Sequence, residues 1–277
     1  MPRLRLTLAY QGTRYAGWQL QARRDGSCPQ TVQGMIERCV ATIVGTRIPV
    51  HGAGRTDSGV HAEGQVCHLD LPPDSPRVDW QQALNVQLPH DIRIIEAVWT
   101  DEQFHARRSA LKKRYAYSLW MHRSRALPRI APFVWSTPAL DPQRMLPALP
   151  HLIGRHDFAS FQNSGAKRAA TVRTLHAIRL AHGTVANIRC PDDWPVLSII
   201  FEGDGFLKQM VRNLTGLLVW IAQGKVPAEA VPDILNARQR RALPSPSAPA
   251  QGLTLMEVVY PDTLCAHMGS SLPSGCR

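Results

Sequence analysis

Leu4, Leu6, Leu8 and Tyr10 alternate with Arg3, Arg5 and Thr7, the period of a strand with one buried face. This opening constrains the fold because a helical period follows it. Thr31 is a good N-cap for a stretch in which Val32, Met35, Ile36, Val40 and Ile43 fall on one stripe, and Gly45 stands where a C-terminal cap belongs. Strand signals return over 64–71 and 92–99, with a short helix expected over 79–86. A second αβ half opens with a strand over 112–121 and crosses a Pro- and Arg-rich connection over 122–138. A helix then starts at Asp141-Pro142 and runs through Met145, Leu149 and Leu152, where Pro147 and Pro150 must kink or break it. Strands over 172–181 and 196–201, a helix over 206–223 ending before Gly224, and a last strand over 253–260 complete the pattern. The Pro-rich 242–251 reads as a loop. Periodicity alone gives an α+β class.

The chemistry concentrates in Gly52-Ala53-Gly54-Arg55-Thr56-Asp57-Ser58-Gly59-Val60-His61-Ala62, which sets one carboxylate between an arginine and a run of glycines. Gly52, Gly54 and Gly59 allow positive φ or close approach to a bulky ligand, and Arg55 supplies a cation for phosphate or for stacking on a base. A dinucleotide loop would need a third Gly where Asp57 stands, and a Walker loop would need Gly-Lys-Ser/Thr. The plain alternative is an Asp-Ser-Gly turn between strands carrying an exposed ion pair.

Further motifs follow in order: Tyr10-x-Gly12, Tyr15-Ala16-Gly17-Trp18-Gln19, Thr31-Val32-Gln33, Gly64-Gln65-Val66, Leu88-Pro89-x-Asp91-Ile92, Phe104-His105-Ala106-Arg107-x-Ser109-Ala110 and Arg114-Tyr115-x-Tyr117. The second half adds Gly154-x-His156-Asp157-Phe158-x-Ser160-Phe161, Thr171-Val172-Arg173-Thr174, Gly205-Phe206-Leu207-x-x-Met210-Val211-Arg212-Asn213 and Ala248-Pro249-x-x-Gly252-Leu253. Together with Gly-Arg-Thr-Asp-x-Gly-Val-His, this series resembles the bacterial tRNA pseudouridine synthase A family from about the first strand to Pro261.

The resemblance implies the pseudouridine synthase fold: two similar αβ halves of ferredoxin/RRM-like type sharing a mostly antiparallel sheet. The halves would be 1–105, carrying the Asp57 loop, and 106–261, followed by a flexible tail over 262–277. It implies an isomerase that converts uridine to pseudouridine in the anticodon stem-loop of tRNA, at positions 38, 39 and 40, working as a homodimer without cofactor or metal. Asp57 would be the nucleophile. Its route, by attack on C1′, addition to C6 or removal of the C2′ proton, stays open. Arg212, on the Met-Val-Arg-Asn match, would pair with Asp57 and offset the desolvation that otherwise disfavours a charged carboxylate. The competing view of Arg212 is a solvated helix face shared with Lys208, four residues earlier. Tyr115 would stack on the target uracil, Tyr117 being its neighbour on the same strand face, and Arg55 would contact RNA and fill the gap left by the extruded nucleotide.

Charge agrees with a polyanionic partner. The 277 residues carry a net charge of +11, and of 32 basic residues only five are lysines, a bias that coding composition could also produce. Arg14, Arg23, Arg24, Arg107, Arg108, Lys112, Lys113 and Arg114 are expected along a tRNA track, against the alternative of solvated surface charge. Cys28, Cys39, Cys67, Cys190, Cys265 and Cys276 form no C-x-x-C pair, which suggests a reducing compartment. His51, His61 and His68 lack ligand spacing around Cys67 and read as hydrogen-bonded loop or sheet residues. No signal core or membrane span is evident, so the cytoplasm is expected. Two other classes compete: a non-catalytic tRNA-binding protein of the same fold, which needs no special carboxylate, and a nucleic-acid hydrolase, which would want a second carboxylate such as Glu63 or Asp70.

Overall fold

The N-terminal alternation becomes strand β1 (Arg3–Tyr10), with Leu4, Leu6, Leu8 and Tyr10 all buried. The structure, a computed structural model, describes residues 2–21, 29–163 and 170–265. It divides into two units, Met1–Leu111 with Leu255–Arg277, and Lys112–Thr254.

In the first unit, helix α1 (Val32–Val44) starts and stops where its caps predict. The Thr31 hydroxyl accepts from the Gly34 N–H at 3.2 Å, and Gly45 takes the left-handed φ of 80° that ends the helix. Met35 and Ile43 are only half-buried; Cys39 and the charged Glu37 complete the buried stripe instead. Glu37 is tolerated there because Arg47, Gln33 and the Val50 N–H all donate to it. Strands β2 (His51–Gly52) and β3 (His61–Asp70), helix α2 (Trp80–Gln87, capped by Asp79) and strand β4 (Ile92–Thr100) follow. β1 lies between β4 and β3, antiparallel to both, and β2 pairs with β3. The free side of β4 is not left bare. Asn85 of α2 donates to the Ile94 carbonyl and accepts from its N–H, both at 2.8 Å, and Gln81 donates to the Ile95 carbonyl at 2.7 Å.

The second unit opens with strand β5 (Lys112–Met121). The Pro- and Arg-rich connection after it contains strand β6 (Trp135–Thr137), which pairs in parallel with β5 and is too short to leave a period in the sequence. The prolines break the next helix as expected: Pro142–Ala148 is a 3-10 helix, continued by a single α-turn, α3 (Leu149–Leu152). The remaining elements are β7 (Gly154–Asp157), β8 (Val172–His182), the small hairpin β9 (Thr184–Val185) and β10 (Ile188–Arg189), β11 (Val196–Gly203), α4 (Met210–Ala222) and α5 (Val231–Ala237). The antiparallel order is β5-β11-β8-β7. Helix α4 starts four residues later than the sequence suggests, because Gln209 takes a left-handed φ of 62° and redirects the chain. The short α5 begins with Pro232 in its first turn and lacks the length to declare itself by periodicity.

Strand β12 (Leu253–Val259) returns the chain to the first unit, where Leu111 N–H donates to the Val259 carbonyl and the Tyr260 hydroxyl to the Ala106 carbonyl. Asp262–Cys265 makes one helical turn, α6, at the head of the stretch expected as a tail; 266–277 lies outside the described residues. The α+β class holds, with a large and mostly antiparallel sheet.

Candidate active site

The loop joining β2 to β3 carries Asp57, and β1, the segment following it and β3 together tie this loop down on both sides of the carboxylate. The Ala53 N–H donates to the Val66 carbonyl at 2.7 Å, and Gln65 of β3 donates to the Gly54 carbonyl at 3.0 Å. The Thr56 and Tyr10 hydroxyls lie 2.8 Å apart, while the Thr56 carbonyl accepts from the Trp18 N–H at 3.1 Å. Ser58 donates to the Tyr15 carbonyl, the Val60 N–H closes a turn onto the Asp57 carbonyl, and the Gly12 N–H donates to His61 Nδ1, each at 3.1 Å. Ala53, Thr56 and Val60 are buried, Asp57 is half-buried, and Arg55 and Ser58 are exposed. The loop thus presents Asp57 from a backbone that cannot swing.

Glycine makes this packing possible, though not as the motif alone suggests. Gly59 has φ +81°, as a turn requires. Gly52, expected to leave room for a ligand, is instead covered by Trp18: a Cβ there would stand 2.5 Å from the indole Nε1. Gly17 is held at φ +92° with the Thr56 carbonyl 2.5 Å from where its Cβ would be.

A second layer braces the clamp. The buried Asp91 accepts from the Tyr15 hydroxyl at 2.6 Å, its carbonyl accepts from the Gln11 N–H at 2.9 Å, and Arg14 stands 3.8 Å from the carboxylate. Burial pushes the Tyr10 phenol up to about 12, and burial with the hydrogen bond to Asp91 raises that of Tyr15, so both stay protonated at neutral pH. Sequence reasoning gave none of Tyr10, Trp18, Thr56 and Asp91 a role. Their motifs were visible, but the loop on which they converge was not.

Tyr115 and Arg212 belong to the second unit. Tyr115 sits on β5 opposite Phe201, nearly buried, with its ring edge-on to Phe206 at 5.1 Å. Tyr117 is wholly buried and donates to the Pro249 carbonyl at 2.7 Å, so its hydroxyl is occupied by backbone. Arg212 is half-buried in the first turn of α4. Its Nε donates to the Ala248 carbonyl at 2.7 Å, and its own carbonyl accepts from the Ala248 N–H at 3.0 Å. The view of Lys208 and Arg212 as one solvated helix face fails, because Lys208 precedes the helix and every residue from Val211 to Val219 except Arg212 is buried. Residues 246–249 are pinned to α4 and β5: Ser247 bonds Asn213, and a Cβ on Gly216 would meet the Pro246 carbonyl at 2.1 Å. Asp57 and Arg55 therefore share one loop, and Tyr115 and Arg212 share a second, separately braced framework.

The other sequence candidates sort by their partners. Lys112 and Arg114 reach Glu202 at 2.9 and 3.3 Å, and these contacts, Lys112 first, hold the Glu202 carboxyl below its usual range, so their charge is partly answered within the unit. Arg107 and Arg108 are exposed, and Arg23 and Arg24 lie outside the described residues. Asp70 accepts both Arg3 Nε and Nη2, at 2.7 and 2.9 Å. It ends β3 nine residues beyond His61, about 30 Å at strand rise. Glu63 is half-buried on β3. His61 and His68 accept from backbone N–H groups of Gly12 and Ala106, and His51 stacks on His68 with ring centroids 5.1 Å apart. Among the described residues no group of three His, Cys, Asp or Glu side chains is placed to hold a metal ion, and no helix is long and apolar enough to cross a membrane.

A family model described as tRNA pseudouridine synthase matches residues 7–107 and 148–261. The chain is 49% identical to the tRNA pseudouridine synthase A of Oleidesulfovibrio alaskensis, over 96% of this chain and 99% of the relative. It is 40% identical to that of Chlamydia trachomatis, over 98% and 97%. With that of Myxococcus xanthus the identity is 41%, over 95% and 93%.

Proposed function

The chain belongs to the tRNA pseudouridine synthase family and isomerises uridine to pseudouridine in tRNA; within that activity we propose that the target lies in the anticodon stem-loop, at positions 38, 39 and 40, and that Asp57 is the nucleophile. The observation that supports the role of Asp57 is the clamp on its loop. A solvated turn aspartate needs no such bracing, whereas a carboxylate that must meet one carbon atom does.

The reaction breaks N1–C1′, turns the uracil within the site, forms C5–C1′, and returns the C5 proton to N1. It consumes neither oxidant nor water. It needs an ionised carboxylate, a pocket that retains the free base, and exclusion of water from the intermediate. Asp57 serves the first need by any of its three routes. Arg212, fixed by Ala248, is the proposed cation that favours the ionised form. Tyr115 is proposed to stack on the target base, and the exposed Arg55 to enter the space the nucleotide leaves. Arg14, Arg107, Arg108 and Lys113 are proposed phosphate contacts. We further assign a homodimer in the cytoplasm, without cofactor; light scattering at micromolar concentration tests the dimer, and a monomer would overturn it.

Carbodiimide-primer extension on an unmodified tRNA transcript, comparing the chain with Asp57→Ala at equal tRNA occupancy, tests the whole assignment. Stops in the anticodon arm are expected with the intact chain alone. Stops with both proteins would remove Asp57 from the chemistry, and tight binding without stops from either would favour the non-catalytic tRNA-binding protein.

A further inference from the structure

Residues 103–140 contain eight arginines and lysines and no aspartate or glutamate. Three of the eight, Arg123, Arg125 and Arg129, stand on the connection after β5, and all three are exposed. Among the described residues none of them has an ion-pair partner. Long cationic side chains without an ion-pair partner suit an anion that arrives from outside.

The loop that carries them is built rather than slack. Trp120 Nε1 donates to the Ser124 carbonyl at 2.9 Å, His122 Nδ1 and the Ser124 hydroxyl lie 2.7 Å apart, and the Ile130 and Ala131 N–H groups close onto the Leu127 carbonyl. Beneath the arginines, Ala126 and Val134 bury themselves against Trp120, Val185, Cys190 and Val196, with Ile130, Phe133 and Trp194 packed around them. The Arg129 guanidinium lies over the Trp194 ring, 4.8 Å from its centroid, which holds the charge in place without neutralising it. Of the two carboxylates beside Trp194, Asp192 is already paired with Arg189 at 3.1 Å, and Asp193 is the other. A small apolar pedestal thus carries an arc of chain bearing three guanidinium groups, with that of Arg129 held over Trp194, and guanidinium forks match phosphate oxygens.

The arc is remote from the base-stacking position. Tyr115 and Met121 are six residues apart on β5, about 20 Å at strand rise, and the arc begins beyond Met121. That distance is several nucleotide steps along an RNA strand. We propose that Arg123, Arg125 and Arg129 form a second tRNA-binding surface that grips the phosphodiester backbone away from the target nucleotide, outside the anticodon stem-loop. This rests on tRNA being the substrate. It adds that the chain measures the body of the tRNA as well as its anticodon arm.

The test is the affinity of the intact chain and of the R123A/R125A/R129A variant for a full-length tRNA transcript and for its excised anticodon stem-loop, by fluorescence anisotropy across a salt series. The variant is expected to bind full-length tRNA about tenfold or more weakly near 0.15 M salt, with a log–log salt slope smaller by about 2. Stem-loop affinity and kcat at saturating tRNA should stay within about twofold. Unchanged affinity for full-length tRNA, or an equal loss on both RNAs, would overturn the proposal. The R123K/R125K/R129K variant keeps the charge and guards against misfolding: it should retain the slope, and a slope lost in it would also count against a phosphate surface. An intact chain that bound neither RNA would overturn the tRNA reading itself, an outcome distinct from failure of the arc.

Discussion

The hydroxyls of Tyr10 and Thr56 face each other at 2.8 Å in the interior of the first unit, tying the residue before Asp57 to the end of the first strand of the sheet. Gln65 Nε2 stands 3.5 Å from the same phenol. The carboxylate is therefore one residue away from a buried polar anchor whose partners come from β1 and β3.

Removing that anchor should separate position from affinity. Tyr10→Phe leaves the buried Thr56 hydroxyl short of a partner, which costs about 1–3 kcal/mol of stability. Displacement of the adjacent carboxylate by a fraction of an ångström should lower the single-turnover rate by about 10–100-fold, with tRNA affinity held. Rapid-quench measurement at saturating enzyme checks this. An unchanged rate would mean that the loop keeps its geometry without the hydroxyl pair.

Two left-handed glycines predict a contrast. Gly17→Ala must tolerate φ +92° and a Cβ 2.5 Å from the Thr56 carbonyl, a backbone atom that cannot move alone. Gly45→Ala, at φ +80°, meets nothing within 4 Å. The second change should cost about 1–2 kcal/mol and spare activity. The first should cost roughly 3 kcal/mol or more and lower activity as well, because it pushes directly on the Asp57 loop. Urea unfolding of both variants and tritium release from labelled tRNA measure the two effects.

Tyr117→Phe tests the bracing of Arg212. The lost hydrogen bond to the Pro249 carbonyl removes one of the ties on 246–249, whose Ala248 carbonyl accepts from Arg212. A loss of about 1–2 kcal/mol in stability is expected, with a smaller fall in kcat than Arg212→Ala produces. Equal falls in kcat would give Tyr117 a direct part in the site.

His68 makes the first unit acid-sensitive. Burial, together with Arg3, His105 and His51, holds its imidazole down to about 4, against about 6.5 in an unfolded chain. Between those values the unfolded chain binds the proton and the folded one does not. Stability present above pH 6.5 is therefore lost as pH falls toward 4, by about 3 kcal/mol in all. The urea midpoint should drop between pH 7 and pH 4.5, and His68→Gln should flatten that drop. A midpoint that rose on acidification would contradict the sign.

Much of this fold was written in local pattern. The alternation of Leu4 to Tyr10, the Thr31 and Gly45 caps, and the prolines that break the helix after Asp141 each act within a few residues, where sterics and hydrogen bonding need no distant partner. β6 and α5 escaped because three and seven residues carry too little period, and α4 began late because the left-handed Gln209 has no signature in residue type.

The α+β class, the family likeness and the prominence of Asp57 were all legible in the chain, since these depend on residue order and spacing. What the glycines serve and what holds the loop emerged from the packing of distant segments. Gly52 accommodates Trp18, Gly17 accommodates Thr56, and Tyr15 reaches Asp91 across 76 positions of chain. That packing also set aside the competing view of Arg212 as a solvated face, since the helix around it is otherwise buried. The reason is physical: a period along the chain specifies which face of an element is apolar, but what packs there is set by close-packing among segments far apart in sequence.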